Sequence, residues 1–257
     1  MTGLVLRLAG PLQSWGERSA FTPERDTAPF PTRSALIGMF AAAEGIARHD
    51  TAALQRYAAL EFTVRIDRPG ARLVDYHTVG GGQPKEKTAA TSGGNHKGAA
   101  VVTRRHYLAD AVFVVAVSGP DGDIARLAAA LHQPHWAPYL GRRSCVPDEP
   151  LLLRTDTTDP IDELLHRVPL SPDPERSTPQ DGAIPVTFLW ERAPAPPARD
   201  IDILTVHDVP HSFAPHGRSH GKRRLYRTVE RLPTSLAVGS HSLHRRLIDY
   251  AMKEVPA

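Results

Sequence analysis

The chain has 257 residues, of which 41% are hydrophobic and 23% charged, so it is long enough for a substantial core and has the composition of an ordinary globular protein. Its formal net charge is +3, and the sequence has no run of about 18 apolar residues, which excludes a membrane-spanning helix. The single cysteine, Cys145, excludes an internal disulfide framework, and the start MTGLVLRLAGP lacks the basic region of a signal peptide, so we predict a cytoplasmic protein with no membrane partner.

Hydrophobic patterning divides the first 155 residues into strands and two helices. Thr32 is the expected N-cap of the first helix, and the second begins near residue 121. The segment AVFVVAV is apolar throughout, as expected of a central strand. The predicted strands lie at 3–9, 61–67, 111–117 and 150–154. The order βαββαβ predicts an α+β, ferredoxin-like (RRM-like) body in which both helices cover one face of the sheet.

A long polar insertion separates the second and third of these strands. A simple connection needs about 2–5 residues, whereas residues 78–98 contain six glycines, three lysines and one sizeable apolar side chain, Val79. Glycine lets a backbone approach a ligand closely. We therefore predict a projecting hairpin that could wrap a single strand, and the alternative is a disordered loop with incidental charge. The side chains expected towards its tip are Lys85, Lys87, His96 and Lys97.

The second half of the chain is rich in proline. Fifteen of the 24 prolines lie between residues 134 and 215. The stretches 169–183 and 193–200 are typical of loops or semi-rigid linkers, and short strands are expected at 184–190 and 201–206. We therefore place a boundary near residue 155, with residues 156–257 forming a small, loop-rich C-terminal part.

Arginine clusters are the main indication of a ligand. Residues 218–231 contain five arginines and one lysine but a single acid, Glu230, and two arginine pairs lie at 104–105 and 142–143. Such clusters suit a phosphate backbone. The alternative is a solvated face in a protein that has 26 arginines and only 5 lysines.

Two other segments offer groups that could bind RNA. GPLQSWG, at 10–16, supplies Gln13 and Ser14 as hydrogen-bonding groups and Trp15 as a stacking surface. The first turn of the first helix offers N–H groups beside Arg33 and Ser34, which is typical of a phosphate site.

Other kinds of site are disfavoured. In GQPKEKT, at 82–88, Glu86 replaces the second glycine of a phosphate-binding loop. Four histidines between 207 and 220 have nearly ligand-like spacing, but the prolines at 210 and 215 break any helix that could align them on zinc. The strands at 3–9 and 111–117 share one phenylalanine and no other aromatic residue, so the base-stacking surface of an RRM is absent. We expect no metal and no cofactor.

Several strings in order resemble the CasD family of subunits of type I-E CRISPR Cascade complexes. They are LRLAGPLQSWG, FPTRSALIGMFAAAEGI, VDYHTVGGG, TRRHYLADAVFVVAV and YLGRRSCVP, with a looser match in RRLYRTVERLP. The resemblance implies a RAMP-type ferredoxin-like body, with residues 77–108 as a long β-hairpin thumb.

In that family the body and the thumb hold the 5′ handle of the crRNA. The resemblance therefore implies a non-catalytic subunit that contacts the CasC backbone subunit and the large CasA subunit, and reaches target DNA only through the complex. The candidate RNA-binding residues are Gln13, Ser14, Trp15, Arg33, Ser34, Lys85, Lys87, His96, Lys97, Thr103, Arg104, Arg105, Tyr107, Arg142, Arg143, Ser144, Arg223 and Arg224.

A metal-independent endoribonuclease is the alternative function. Some relatives in another type I subtype cut the repeat RNA with tyrosine, lysine and histidine side chains, and Tyr76, His77, His96 and Lys97 supply those residue types here. Cleavage by an internal hydroxyl needs a base and a cation that converge on one phosphate. A glycine-flanked tip makes such convergence difficult, and we therefore favour the non-catalytic function.

Overall fold

The computed structural model describes residues 2–16, 23–80, 84–88, 100–176, 182–195, 200–214 and 217–252. The strands are β1 (Thr2–Ala9), β2 (Leu12–Gln13), β3 (Glu24–Arg25), β4 (Glu61–Arg68), β5 (Ala71–Val79), β6 (Val101–Ala109), β7 (Val112–Gly119), β8 (Leu152–Thr157), β9 (Ala183–Trp190), β10 (Asp202–Ser212) and β11 (Ser219–Pro233). The helices are α1 (Arg33–Ala43), α2 (Asp121–His132), α3 (Pro160–Asp162), which continues into a π-helical turn (Glu163–Arg167), and α4 (Ser240–Met252). None of these helices has the length and hydrophobicity needed to cross a membrane.

A seven-stranded antiparallel sheet runs through the molecule in the order β10-β11-β9-β4-β7-β1-β8. Its β4-β7-β1-β8 part, with α1 after β1 and α2 after β7, is the ferredoxin-like βαββαβ arrangement. The prediction of a ferredoxin-like body is therefore confirmed.

Both helices of this body pack on the same face of the sheet. Thr32 caps α1 as predicted, because its Oγ1 accepts a hydrogen bond from the Ala35 N–H at 3.4 Å. The core on this face combines side chains of β1 with those of α1 and α2, namely Leu4, Leu6, Leu8, Leu36, Ile37, Phe40, Ile124, Leu127 and Leu131. This shared core fixes the position of α1 on the sheet.

A second core covers the opposite face of the sheet. Val5 and Val114 point away from α1 and α2 and pack instead against Leu164, Leu247 and Tyr250. The segment AVFVVAV is therefore buried on both faces, which explains its continuous hydrophobicity.

The C-terminal part is larger and more regular than the expected loop-rich region with short strands. β9, β10 and β11 have 8, 11 and 15 residues, and β9 pairs with β4, so they extend the sheet of the body across the boundary placed near residue 155. β11 is difficult to recognise because its exposed positions carry charges, while Leu225, Thr228 and Leu232 are buried.

A β-hairpin arm, formed by β5 and β6, leaves the body between β4 and β7. Nine residue pairs, from Ala71↔Ala109 to Val79↔Val101, form its ladder, so it begins six residues before the predicted 77. β2 and β3 pair with the body end of β6. The predicted tip residues His96 and Lys97 lie outside the described residues.

Candidate nucleic-acid interface

Three segments converge where the hairpin arm joins the body, and we call residues 12–16, 104–107 and 139–146 the arm base. The Ser14 N–H donates to the Leu140 carbonyl, and its hydroxyl donates to the His106 carbonyl, both at 3.1 Å. Gly141 has a φ of +85°, and a Cβ there would lie 1.7 Å from the Ser14 carbonyl oxygen. Only glycine permits this approach. Close backbone contacts therefore contribute to holding the arm base together.

A tight turn in the arm base presents two arginines in different ways. The Leu140 N–H donates to the Cys145 carbonyl and the Cys145 N–H to the Arg142 carbonyl, each at 2.8 Å. The Arg142 guanidinium lies 4.6 Å from the centre of the Tyr107 ring, and its Nη2 donates to the Arg25 carbonyl at 3.0 Å. Arg142 therefore holds the turn in place. Arg143 and Ser144 are exposed at its tip.

Cys145 belongs to the interior of this turn. Its side chain is buried, and burial raises the pKa of the thiol. The turn therefore contributes cations and a serine but no reactive thiolate.

The two faces of β6 carry different groups. Arg104 is exposed and lies opposite Tyr76, itself exposed, so this cross-strand pair presents a cation and an aromatic ring on one face of the arm. On the other face Thr103 and Tyr107 are buried, and half-buried Arg105 donates from Nε to the Thr103 hydroxyl at 3.2 Å. The exposed aromatic ring of Tyr76 was not among the residues predicted to bind RNA.

The central residues of the GPLQSWG segment, Gln13, Ser14 and Trp15, are buried. This corrects the expectation that Trp15 offers a stacking surface. Trp15 is fully buried, and its indole N–H donates to Gln13 Oε1 at 3.1 Å. The Gln13 amide in turn donates to the carbonyls of Leu8 and Ala111 at 3.1 and 2.7 Å. The side chains of Gln13, Ser14 and Trp15 therefore hold the arm base together from inside, because polar groups buried there need internal partners.

The N-terminus of α1 is also occupied, in this case by a carboxylate of the protein itself. The Arg33 N–H donates to Asp208 Oδ2 at 2.7 Å, so an internal carboxylate takes the place of the expected phosphate. The Arg33 guanidinium pairs with Glu191 at 2.6 Å and donates to the carbonyls of Tyr57 and Leu60, each at 3.0 Å. Ser34 is half-buried, with its hydroxyl 3.3 Å from that of Thr32.

Arg223 closes the same network. It pairs with Asp208 and with Glu191, each at 2.6 Å. Burial raises the pKa of Glu191, and the charges of Arg223 and Arg33 oppose that change. Both arginines were predicted to contact phosphate, yet the structure uses their charges to join α1 to β9, β10 and β11. Arg224, the next residue, is exposed and lines a cavity together with Arg192 and members of this network.

The remaining candidates lie in the arm. Lys85 and Lys87 are exposed in a short 3-10 turn (Lys85–Lys87). Tyr76 and His77 are neighbours on β5, so their side chains point to opposite faces of the arm, and His77 pairs with the Asp75 carboxylate. These two side chains cannot act together on one phosphate in this geometry.

Comparisons with known proteins agree on one family. A family model described as CRISPR-associated protein (Cas_Cas5) matches residues 3–226. The CRISPR system Cascade subunit CasD of Escherichia coli (strain K12) is 39% identical over 183 residues, which cover 66% of this chain and 79% of that protein.

Solved structures lead to the same family. A chain of a CRISPR RNA-guided surveillance complex superposes with a TM-score of 0.85 and 46% identity, covering 98% of this chain and 100% of that chain. A crystal structure of a Cas protein gives a TM-score of 0.59 and 28% identity, covering 91% of this chain and 97% of that one. Because the family model spans most of the sequence and the fold agrees along its length, the chain belongs to the Cas5 family of CRISPR-associated proteins.

Proposed function

We propose that the chain is a non-catalytic RNA-binding subunit of a type I-E CRISPR surveillance complex, Cascade, in which the arm base holds the 5′ handle of the crRNA. The similarity to a protein named as a Cascade subunit and to a chain of a surveillance complex supports this assignment. Target DNA is then reached through the RNA and the other subunits.

The observation that carries the proposal is a set of exposed cations on a rigid support. Arg104 and Arg143 are exposed, and neither pairs with a carboxylate within the part of the chain that the structure describes. Tyr76 lies across from Arg104 on the same face. Single-stranded RNA is bound by cations along its backbone and by aromatic rings against its bases. Arg104 and Arg143 of the arm base, together with the neighbouring Tyr76 on β5, supply both.

The hairpin arm also suits a protein neighbour. Apolar side chains are about two-fifths to one-half exposed on both of its faces: Leu73 and Val79 on one face, and Val74 and Val102 on the face that carries Tyr76. Exposed apolar side chains that follow one element mark a contact surface. We assign this surface to the neighbouring subunits, with the CasC backbone subunit along the arm and the CasA subunit nearby, as the resemblance to CasD implies.

The geometry disfavours the endoribonuclease alternative. A hydroxyl attack on a phosphate needs its base and its cation on the same side of the RNA. Tyr76 and His77 lie on opposite faces of the arm, so they do not supply such a pair. We expect a labelled repeat RNA to stay intact with the purified protein, and site-specific cleavage that persists in EDTA and is lost in His77→Ala would establish the nuclease instead.

The salt dependence of RNA binding tests the proposal. Affinity for a handle-length single strand should fall with salt with a log–log slope of about −0.7 per phosphate neutralised. Arg104→Glu and Arg143→Glu should each make the slope shallower by about that amount. Arg246→Glu is the matched control, because Arg246 is exposed on α4, on the opposite face of the sheet. Equal effects of all three changes would show that only the overall charge matters.

A further inference from the structure

A cavity of about 690 Å³ lies beside the arm base. α1 lines one side of it at Gly38 and Met39, and the other sides come from the segment 136–146 and from the chain around Phe213 and Arg218. Gly141 and Arg143 line it as well, so it opens directly beside the turn that presents Arg143. We call it the arginine cavity.

Among the described residues, the charged side chains that line the arginine cavity are all cationic. Arg48, Arg143 and Arg218 line the cavity, and no aspartate or glutamate does so among the described residues. None of the three forms an ion pair within those residues. Arg48 and Arg218 line the same cavity, so their like charges repel each other, and burial together with the charge of Arg48 lowers the pKa of Arg218. An anion between them would relieve this repulsion.

Aromatic rings complete the lining. Trp136 is 49% exposed, which is unusual for so large a side chain, and Tyr139 and Phe213 lie in the same cavity. The Trp136 ring packs edge-on against His135 with a centroid distance of 4.5 Å. The backbone N–H groups of both residues donate to carbonyls at the end of α1, at 2.8 and 3.3 Å. These contacts hold the Trp136 indole in place and leave about half of the side chain exposed.

The combination fits a nucleotide better than a peptide or an apolar ligand. Cations alone would suit an acidic peptide, and aromatic rings alone would suit an apolar ligand, whereas a nucleotide has both a phosphate and a flat ring. Arg143 belongs both to the arm base and to the cavity, so a strand bound at the first can continue into the second. We propose that the arginine cavity holds one unstacked nucleotide of the bound RNA, with its base against Trp136 and its phosphate between Arg48 and Arg218.

This inference rests on the proposed RNA-binding function and adds to it a single position at which the RNA is read by shape. The test is a scan of the 5′ handle RNA with one abasic nucleotide at each position in turn, bound by the full-length chain in a fluorescence anisotropy assay. Removing the base that occupies the cavity should weaken binding about 5- to 150-fold, the range for one stacked base, at one position only.

Variants of the cavity make the scan specific. Trp136→Ala should bind the intact RNA more weakly and lose the abasic effect at that one position, and Trp136→Phe should largely restore it. Gly38→Leu should fill the cavity, since a Cβ there has only Phe213 at 4.0 Å, and leucine is a better helix former than glycine. Gly122→Leu on α2 is the matched control, because its Cβ would meet nothing within 4 Å.

The outcomes separate this inference from the proposed function. If the wild-type chain binds the handle and Trp136→Ala shows the same abasic profile, the cavity holds no base, although the RNA-binding function stands. If Gly38→Leu keeps full RNA affinity but no longer recovers its partner proteins from cells, the cavity takes a protein segment and the inference is wrong. If the wild-type chain does not bind the handle at low salt, the proposed function itself fails.

Discussion

At the scale of single residues, the arginines divide into internal and external ones. Arg33 and Arg223 share two buried carboxylates, Asp208 and Glu191. Arg143, in contrast, is exposed at a loop tip. Removing one partner of a buried ion pair leaves an uncompensated charge, whereas an exposed arginine is solvated with or without a ligand. The same residue type therefore stabilises the fold at one position and is available to RNA at another.

Two neighbouring arginines on β11 test this division. Arg223→Met should lower the free energy of unfolding by about 3–5 kcal/mol, because Asp208 and Glu191 each lose one of their two arginine partners in a buried site. Arg224→Met should change it by less than about 0.5 kcal/mol, since Arg224 is exposed. Urea denaturation measures both, and equal stabilities would mean that the network does not hold α1 to the sheet.

At the scale of elements, the hairpin arm differs from every strand of the large sheet. Its nine pairs are regular, yet most of β5 is exposed, and none of the described helices packs extensively against it. Tyr107 and Leu108 of β6 belong to the core, whereas β5 adds little to it, and the exposed apolar residues of β5 are available to a partner. Its contribution should therefore appear in assembly and not in stability.

An exposed valine of the arm allows this to be measured. Val74→Lys should leave the melting temperature of the isolated protein unchanged and reduce the recovery of partner subunits with the tagged chain. Val229→Lys is the control, because Val229 is similarly exposed, at 61% against 54% for Val74, but lies on β11. Normal recovery with Val74→Lys would show that this surface makes no subunit contact.

At the scale of the whole molecule, one sheet with a core on each face unites the two halves of the chain. The body supplies the middle of the sheet, and the C-terminal residues supply three further strands and the helix that covers its second face. We therefore expect the residues before and after 155 to unfold together, because Val5 and Val114 are buried by residues from the C-terminal half.

A substitution in α4 tests whether the two halves of the chain unfold together. Leu247→Ala should destabilise the protein by about 2–5 kcal/mol, the usual range for a buried leucine, and unfolding should remain a single transition. Leu247 is 1% exposed, whereas Met252 on the same helix is 79% exposed and serves as the neutral control. Two separate transitions, with only one of them shifted by Leu247→Ala, would indicate independent domains.

Local patterns predict those features that depend on neighbours in sequence. Alternation identifies β1 and β4, and Thr32 is correctly placed as the cap of α1. The arm is predicted from the glycine-rich insertion, although its strands begin earlier, at Ala71.

Features that depend on distant partners are not predicted. The carboxylates that bind Arg33 lie 158 and 175 residues away, so nothing near Arg33 reveals that its charge is used internally. Trp15 lies in a segment with the composition of a surface turn, and only the packing of the arm base buries it. The arginine cavity likewise combines α1 with two remote segments.

The proposed role of the arm base is to hold the 5′ end of a guide RNA through Arg104 and Arg143. The most direct measurement is to recover the complex from cells with a tag on this chain and sequence the RNA bound to it, for the wild type and for the double variant Arg104→Glu, Arg143→Glu. We predict that the wild type carries RNAs sharing one repeat-derived 5′ end, and that the double variant folds normally but carries much less of them. Retention of the same RNAs at the same level by the double variant, or a wild type that carries no RNA with a shared 5′ end, would contradict this role of the arm base.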